Sequence, residues 1–147
     1  MCHASSVHSL NLDLVRSIYA AWERGDYRSL EWARADMEYR VADGPSPGTW
    51  AGIEGMTEAF RDVLAAWEDW GVVADDYLEL AGDRVLVSFH CTGRGKASGV
   101  DLAQLQVNGA TLFEVGAGKI TRIVQYFDRD DALADLGLVA DEQRDSR

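Results

Sequence analysis

Leu14, Val15, Ile18, Tyr19 and Trp22 recur at the spacing of one helical face, with polar residues between them. The pattern predicts a first helix that Ser9 or Asn11 can cap and that Gly25 can end in the left-handed conformation. Asp26 is then placed to cap a short second helix through Leu30 and Trp32. Met37, Tyr39 and Val41 alternate with Glu38 and Arg40, which predicts a half-buried strand. Asp43 to Gly48 holds two prolines and two glycines and reads as a loop. Met56, Phe60, Val63, Leu64 and Trp67 form a second helical stripe, with Gly71 as its stop.

From Val72 the period becomes strand-like. Runs are expected over Val72 to Leu80, Arg84 to Thr92, Val100 to Val115 with a break at Asn108-Gly109, and Ile120 to Phe127. A turn at 81–83, a flexible connection over 93–99 and a turn at 116–118 separate them. A short helix from Asp130 to Leu136 closes the order. Early helices followed by a four-strand antiparallel meander argue an α+β fold rather than a parallel α/β one. One domain is expected over residues 10–138, with a polar, frayed tail over 139–147.

Composition narrows the function more than the fold. The chain has 147 residues, 47% of them apolar, with five Trp, five Tyr and four Phe, enough for a core. The formal net charge is −11. Such a surface repels phosphate backbones and anionic lipid, so neither nucleic acid nor a membrane surface is expected as partner. There is no apolar run of about 18 residues and no secretory leader pattern at the start. Cys2 and Cys91 lie too far apart in sequence and in element type to suggest a disulfide framework. A cytoplasmic protein is expected. No histidine and carboxylate spacing suggests a metal site. Gly93-Arg94-Gly95 precedes no helix and is no dinucleotide loop, and Ser88 and Thr92 near His90 make no triad.

Three passages carry a resemblance: Tyr19-Ala20-Ala21-Trp22-Glu23-Arg24-Gly25-Asp26, Trp50-Ala51-Gly52-Ile53-Glu54-Gly55-Met56, and Gly116 to Ile123 running on through Tyr126-Phe127-Asp128 to Leu133. In their order and spacing, from about Leu12 to Leu138, they resemble the nuclear transport factor 2-like superfamily. More narrowly they resemble its SnoaL-like group, which includes polyketide cyclases and is related to ketosteroid isomerases. The resemblance implies a cone: a curved antiparallel sheet wrapped by N-terminal helices around a hydrophobic pocket. It implies no cofactor. Because this fold hosts enzymes, binding domains and assembly modules, it does not by itself name a reaction.

Strand parity assigns faces to that cone. Met37, Tyr39, Val41 and, if the parity holds, Asp43 look inward from the first strand. Val85, Val87 and Phe89, then Thr111, Phe113 and Val115, then Ile123, Gln125 and Phe127 do so from the later strands, and Ile18 and Trp22 from the first helix. Trp22, Tyr39, Phe89, Thr111, Phe113, Gln125 and Phe127 are the candidate ligand-binding residues. Tyr39, Trp22, Trp32, Trp50 and Trp67 could stack a flat ligand, with one or two of them expected at the cavity.

A ketosteroid isomerase needs a carboxylate base, a tyrosine donor and a protonated aspartic acid donor. The resemblance places the base on or near Asp43, with Val41 the alternative register. It places the tyrosine donor on Ile18, one residue from Tyr19, and the second donor near Thr111, so the set is about one third present. Asp43 is a general-base candidate, though an Asp before Gly-Pro more often bonds its own turn. His90 is the other catalytic candidate. Parity turns it outward; a bulge would be needed to bring it in, beside Asp101 or Asp43.

Two readings compete. The first is a cofactor-independent isomerase, cyclase or hydratase acting on a small hydrophobic carbonyl compound. The second is a ligand-binding or dimerisation module without chemistry. An epoxide-hydrolase-like set of Arg40, Asp43 and Asp101 ranks last, because parity puts Arg40 outside. A homodimer through the outer sheet face is expected, since Leu86, Val124 and Tyr126 lie there and would otherwise be exposed.

Overall fold

The computed structural model describes residues 3–43, 47–96, 99–101 and 108–138, with side chains from Leu10 onward. The predicted tail over 139–147 lies outside the described residues. Helix α1 runs over His3–Glu23, so Asn11 sits inside it rather than at its start and donates its amide N–H to Asp83 at 3.1 Å. Gly25 ends the helix as its composition suggests. Its φ of +85° lets the Asp26 N–H reach back to the Ala21 carbonyl at 2.8 Å.

The expected second helix does not form. Asp26 makes the bonds of a cap, accepting the N–H of Arg28 at 3.1 Å, the N–H of Ser29 at 3.3 Å and the Ser29 hydroxyl at 2.9 Å. They close a turn through which Tyr27, Leu30 and Trp32 pack onto the core instead of starting a helix.

Strand β1 spans Ala33–Val41, and a short strand β2, Gly48–Ala51, pairs antiparallel with it. The expected loop thus ends in a strand; residues 44–46 lie outside the described ones. Helix α2 runs over Gly52–Ala66 and stops well before Gly71. Trp67 is already extended, at φ −125° and ψ 140°, and opens strand β3, Trp67–Leu80. Its partner is strand β4, Arg84–Gly95, which includes Gly93 to Gly95 of the stretch expected to be a flexible connection. Trp67 pairs with Gly95 and Glu68 with Arg94, so sheet pairing overrides the helical stripe at this end.

Strand β5 spans Asn108–Gly116 and strand β6 Lys119–Tyr126. Residues 102–107, the first part of the expected third run, lie outside the described residues. Asn108-Gly109, where a break is expected, begins β5. A side chain at Gly109 would stand 2.3 Å from the Tyr126 carbonyl oxygen and 2.6 Å from the Phe89 ring, so the close packing there requires glycine. Helix α3, Arg129–Asp135, is capped by Asp128, whose carboxylate accepts the Asp130 N–H at 2.9 Å.

The strands lie in the order β2-β1-β6-β5-β4-β3. The β3-β4-β5-β6 meander is antiparallel, as expected, and β1 joins β6 in parallel. Register shifts at Glu68/Gly71 and Ala74/Asp76 in β3 bend the sheet. The inner face carries the main core, where Val85, Val87, Phe89, Phe113 and Ile123 meet Val15, Ile18 and Trp22 of α1 and Met56 of α2. This is the α+β cone expected from the sequence.

The outer face overturns one expectation. Leu86, Val124 and Tyr126 do lie there, but they are 2%, 1% and 3% exposed, packed with Ala132 and Leu133 of α3. The protein covers this surface itself, so exposed apolar area no longer argues for a dimer.

Candidate functional site

The inner face holds a small cavity of about 30 Å³. Trp22, Tyr39, Gln125 and Phe127, all assigned inward by parity or helical facing, line it. Phe60, Val63 and Leu64 of α2, Trp70 and Val72 of β3, and Tyr27 complete the wall. Of the five aromatic side chains considered for stacking, Trp22 and Tyr39 reach the cavity. Trp32 and Trp50 back them, at ring distances of 6.1 Å from Trp22 and 6.0 Å from Tyr39, and Trp67 stands 6.3 Å from Trp70.

Phe89, Thr111 and Phe113 face inward as parity requires but lie behind the wall. The reason is Tyr19. Its ring fills the deep end of the cone, 6.4 Å from Phe89, 6.1 Å from Phe113 and 5.0 Å from Trp22, and it is fully buried.

A polar relay crosses this apolar interior. The Tyr19 hydroxyl is 2.8 Å from Thr111 Oγ1, and the Thr111 hydroxyl donates to Gln125 Oε1. Burial pushes the Tyr19 pKa well above its ordinary value, against the smaller effect of the Thr111 bond, so Tyr19 keeps its proton at neutral pH. Burial also raises the Tyr39 pKa, and it pushes Tyr27 up to about 12. The three phenols are therefore neutral groups, suited to hydrogen bonding rather than to proton abstraction. The Tyr27 hydroxyl is buried without a hydrogen bond of good geometry; the Trp70 indole N–H lies near enough to oppose part of its pKa rise.

The two catalytic candidates sit elsewhere. Asp43 accepts the N–H of Phe127 at 2.6 Å and of Asp128 at 3.2 Å, pinning the end of β6 to the start of α3. Its carboxylate is not among the lining residues; it stands beside Phe127, which is, and also shares a hydrogen bond with Asp131. His90 faces outward, as parity indicates, with its Nδ1 2.8 Å from Asp75, a different carboxylate from either partner considered. Asp75 also lies 3.6 Å from Arg129. The epoxide-hydrolase-like set is not assembled: Asp101 pairs with Arg94 at 3.7 Å, while Arg40 acts on Tyr126 of the outer face.

Sequence reasoning missed Tyr27, Phe60, Val63, Leu64, Trp70 and Val72. For Phe60, Val63 and Leu64 the signal existed in the helical stripe of α2, which has to face the cavity mouth. Tyr27 was hidden by the expected helix, and Trp70 by a helix drawn too far. Among the described residues, no group of three or more His, Cys, Asp or Glu side chains is placed to hold a metal ion. Nor is any helix among them long and apolar enough to cross a membrane.

A family model of the SnoaL-like domain matches residues 15–123. Several solved structures share the fold. One is a candidate isomerase from Bacillus subtilis, 18% identical over 80% of this chain and 86% of that one, with a TM-score of 0.66. Another, from Catenulispora acidiphila, has a ketosteroid isomerase-like fold and is in complex with trimethylamine. It is 23% identical over 87% of this chain and 95% of that one, with a TM-score of 0.63. A third is TerC co-crystallised with polyporic acid, 20% identical over 88% of this chain and 97% of that one, with a TM-score of 0.68. At these identities the likeness is one of fold. No curated protein matches the chain.

Proposed function

The chain belongs to the SnoaL-like domain family, and from that premise we propose that its pocket binds a small, uncharged, mainly apolar compound through one hydrogen-bond-accepting oxygen, of the carbonyl type. The observation that carries this reading is Gln125. It is the one amide in a wall otherwise made of rings and aliphatic groups, and its carbonyl oxygen is already taken by Thr111. Its two N–H bonds are left to meet a ligand acceptor, and Tyr39 adds a neutral phenol on the same wall. No carboxylate or imidazole is among the lining residues, which supports binding ahead of acid–base chemistry. The candidate isomerase and the complexes with trimethylamine and polyporic acid among the fold's relatives support a small-molecule role in general terms.

The test is a titration of the isotope-labelled protein with cyclopentanone, with cyclopentane as the apolar control. Cyclopentanone is expected to shift resonances of Gln125 and Tyr39. Gln125→Leu is expected to weaken it about three- to tenfold, the worth of one hydrogen bond, with cyclopentane unaffected. Equal binding of the two compounds, or shifts confined to the outer face, would remove the reading.

A second reading keeps chemistry in the pocket as an isomerase, cyclase or hydratase. It is supported by the position of Asp43, whose carboxylate holds the N–H of a residue that lines the cavity. Exchange of the α-hydrogens of cyclopentanone for deuterium separates the two. Protein-accelerated exchange that Asp43→Asn lowers about 100-fold or more favours catalysis, and no acceleration favours binding. The homodimer is a separate proposal, and a monomeric mass by light scattering at micromolar concentration would end it.

A further inference from the structure

We propose that Tyr19 and Thr111, which do not line the pocket, are positioning residues that fix the polarity of the Gln125 amide, so that the pocket selects ligands that accept a hydrogen bond over ligands that donate one. The inference rests on the small-molecule reading above and says which residues behind the wall decide the ligand's chemistry.

Counting protons carries it. Tyr19 and Thr111 are both fully buried, and each hydroxyl has one proton to give. Thr111 donates its one proton to Gln125 Oε1, which leaves Tyr19 as the donor to Thr111, and every buried hydroxyl proton then has an acceptor. The amide nitrogen of Gln125 then carries its two protons toward the cavity. In the reverse direction the amide donates to Thr111 and Thr111 to Tyr19. The Tyr19 proton would then stand among Trp22, Phe89 and Phe113, with no other acceptor among the described residues. Buried donors are seldom left unmatched, so the reverse direction is disfavoured.

Tyr19 has no way out of the donor role. It is sealed from solvent, and its raised pKa keeps the proton in place. The polarity of the wall is thus set at the deep end of the cone, 92 residues of chain away from Thr111. A glutamine without such a relay could present either end of its amide and would discriminate little between acceptor and donor ligands.

The test uses two five-membered rings of similar size. Cyclopentanone accepts a hydrogen bond and cannot donate; pyrrole donates through its N–H and has no lone pair to accept in the ring plane. Wild-type protein is expected to bind cyclopentanone about tenfold more tightly than pyrrole. Thr111→Val keeps the volume and removes the relay, and the ratio is expected to fall toward one. Thr111→Ser restores the hydroxyl and should restore the ratio, which a role in packing alone would not produce.

A wild-type protein that binds both rings equally, or prefers pyrrole, overturns the proposal without any variant, even if Thr111→Val fails to fold. An unchanged ratio in folded Thr111→Val overturns it too, while the pocket reading stands. If neither ring binds the wild-type protein, the pocket reading falls and takes this inference with it.

Discussion

The inner face of the sheet packs against α1 and α2 through aliphatic side chains and a cluster of interlocked rings; the outer face packs against α3 through aliphatic side chains around the one ring of Tyr126. On the inner face, Trp22 alone meets Tyr19, Tyr27, Trp32, Phe60 and Phe113, at ring distances of 5.0 to 6.3 Å and at angles from nearly stacked to perpendicular. Rigid rings set at such angles tile a curved surface imperfectly, and a cavity persists between them. On the outer face Leu86, Leu112, Val124, Ala132 and Leu133 close up around the Tyr126 ring. The same sheet therefore has a face that keeps a cavity between rings and a face that a short helix covers. What separates them is the shape of the covering side chains and the length of the covering helices, since both faces are apolar.

The comparison breaks most readily in the cores themselves. Phe113→Ala on the inner face is expected to cost ~3–5 kcal/mol, because the ring is fully buried against Tyr19 and Trp22. Leu133→Ala on the outer face is expected to cost ~2–3 kcal/mol, near the low end for such truncations, because α3 is a seven-residue helix that can settle into the gap. Urea unfolding measures both. Equal losses would mean that the outer cover is as constrained as the inner core.

Thr111→Val sharpens the inner side of the comparison. It leaves the Tyr19 hydroxyl and the Gln125 carbonyl without their partner, an expected loss of ~1–3 kcal/mol, with Thr111→Ser losing less. The same measurement on folded variants links stability to the ligand selectivity described above.

The smallest effect lies at the corner where the faces meet. Asp131 of α3 has its pKa raised to about 6, first by sharing a hydrogen bond with Asp43, then by burial and by the charges of Asp128, Asp43 and Asp135. A carboxyl whose pKa is higher in the folded state binds its proton more tightly there. Its contribution to stability is therefore present below the unfolded value of 3.8 and is lost as pH rises through about 6. Thermal melts between pH 4.5 and 7.5 should show the wild-type melting temperature falling as pH rises through this range, and Asp131→Asn should flatten that part of the curve. An unchanged profile would show that the Asp131 carboxyl is not held above its ordinary pKa in the folded protein.

Legibility in the sequence followed the reach of each interaction. Tyr39, Gln125 and Phe127 were placed on the inner face from alternation alone and His90 on the outer face, because a strand's period of two is a local property. Trp22 followed from helical spacing in the same way. Asp26 shows the limit of local reading. Its cap signal was real, yet the segment after it turns toward the core instead of forming a helix. Trp67 shows the opposing pull, where pairing with a distant strand ended a helix that its own neighbours would have continued.

The sequence by itself determined the α+β order, the meander, the faces of residues such as Tyr39, Gln125 and His90, and an acidic, ring-rich chain, since these depend on period, composition and neighbouring residues. Only the tertiary structure decided which polar groups meet. Asp43 found the backbone of Phe127, His90 found Asp75, and Tyr19 found Thr111 and through it Gln125. It also decided that α3 covers the outer face. Hydrogen bonds act over about 3 Å and depend on geometry that strands and helices far apart in the chain supply together, so no local pattern encodes them.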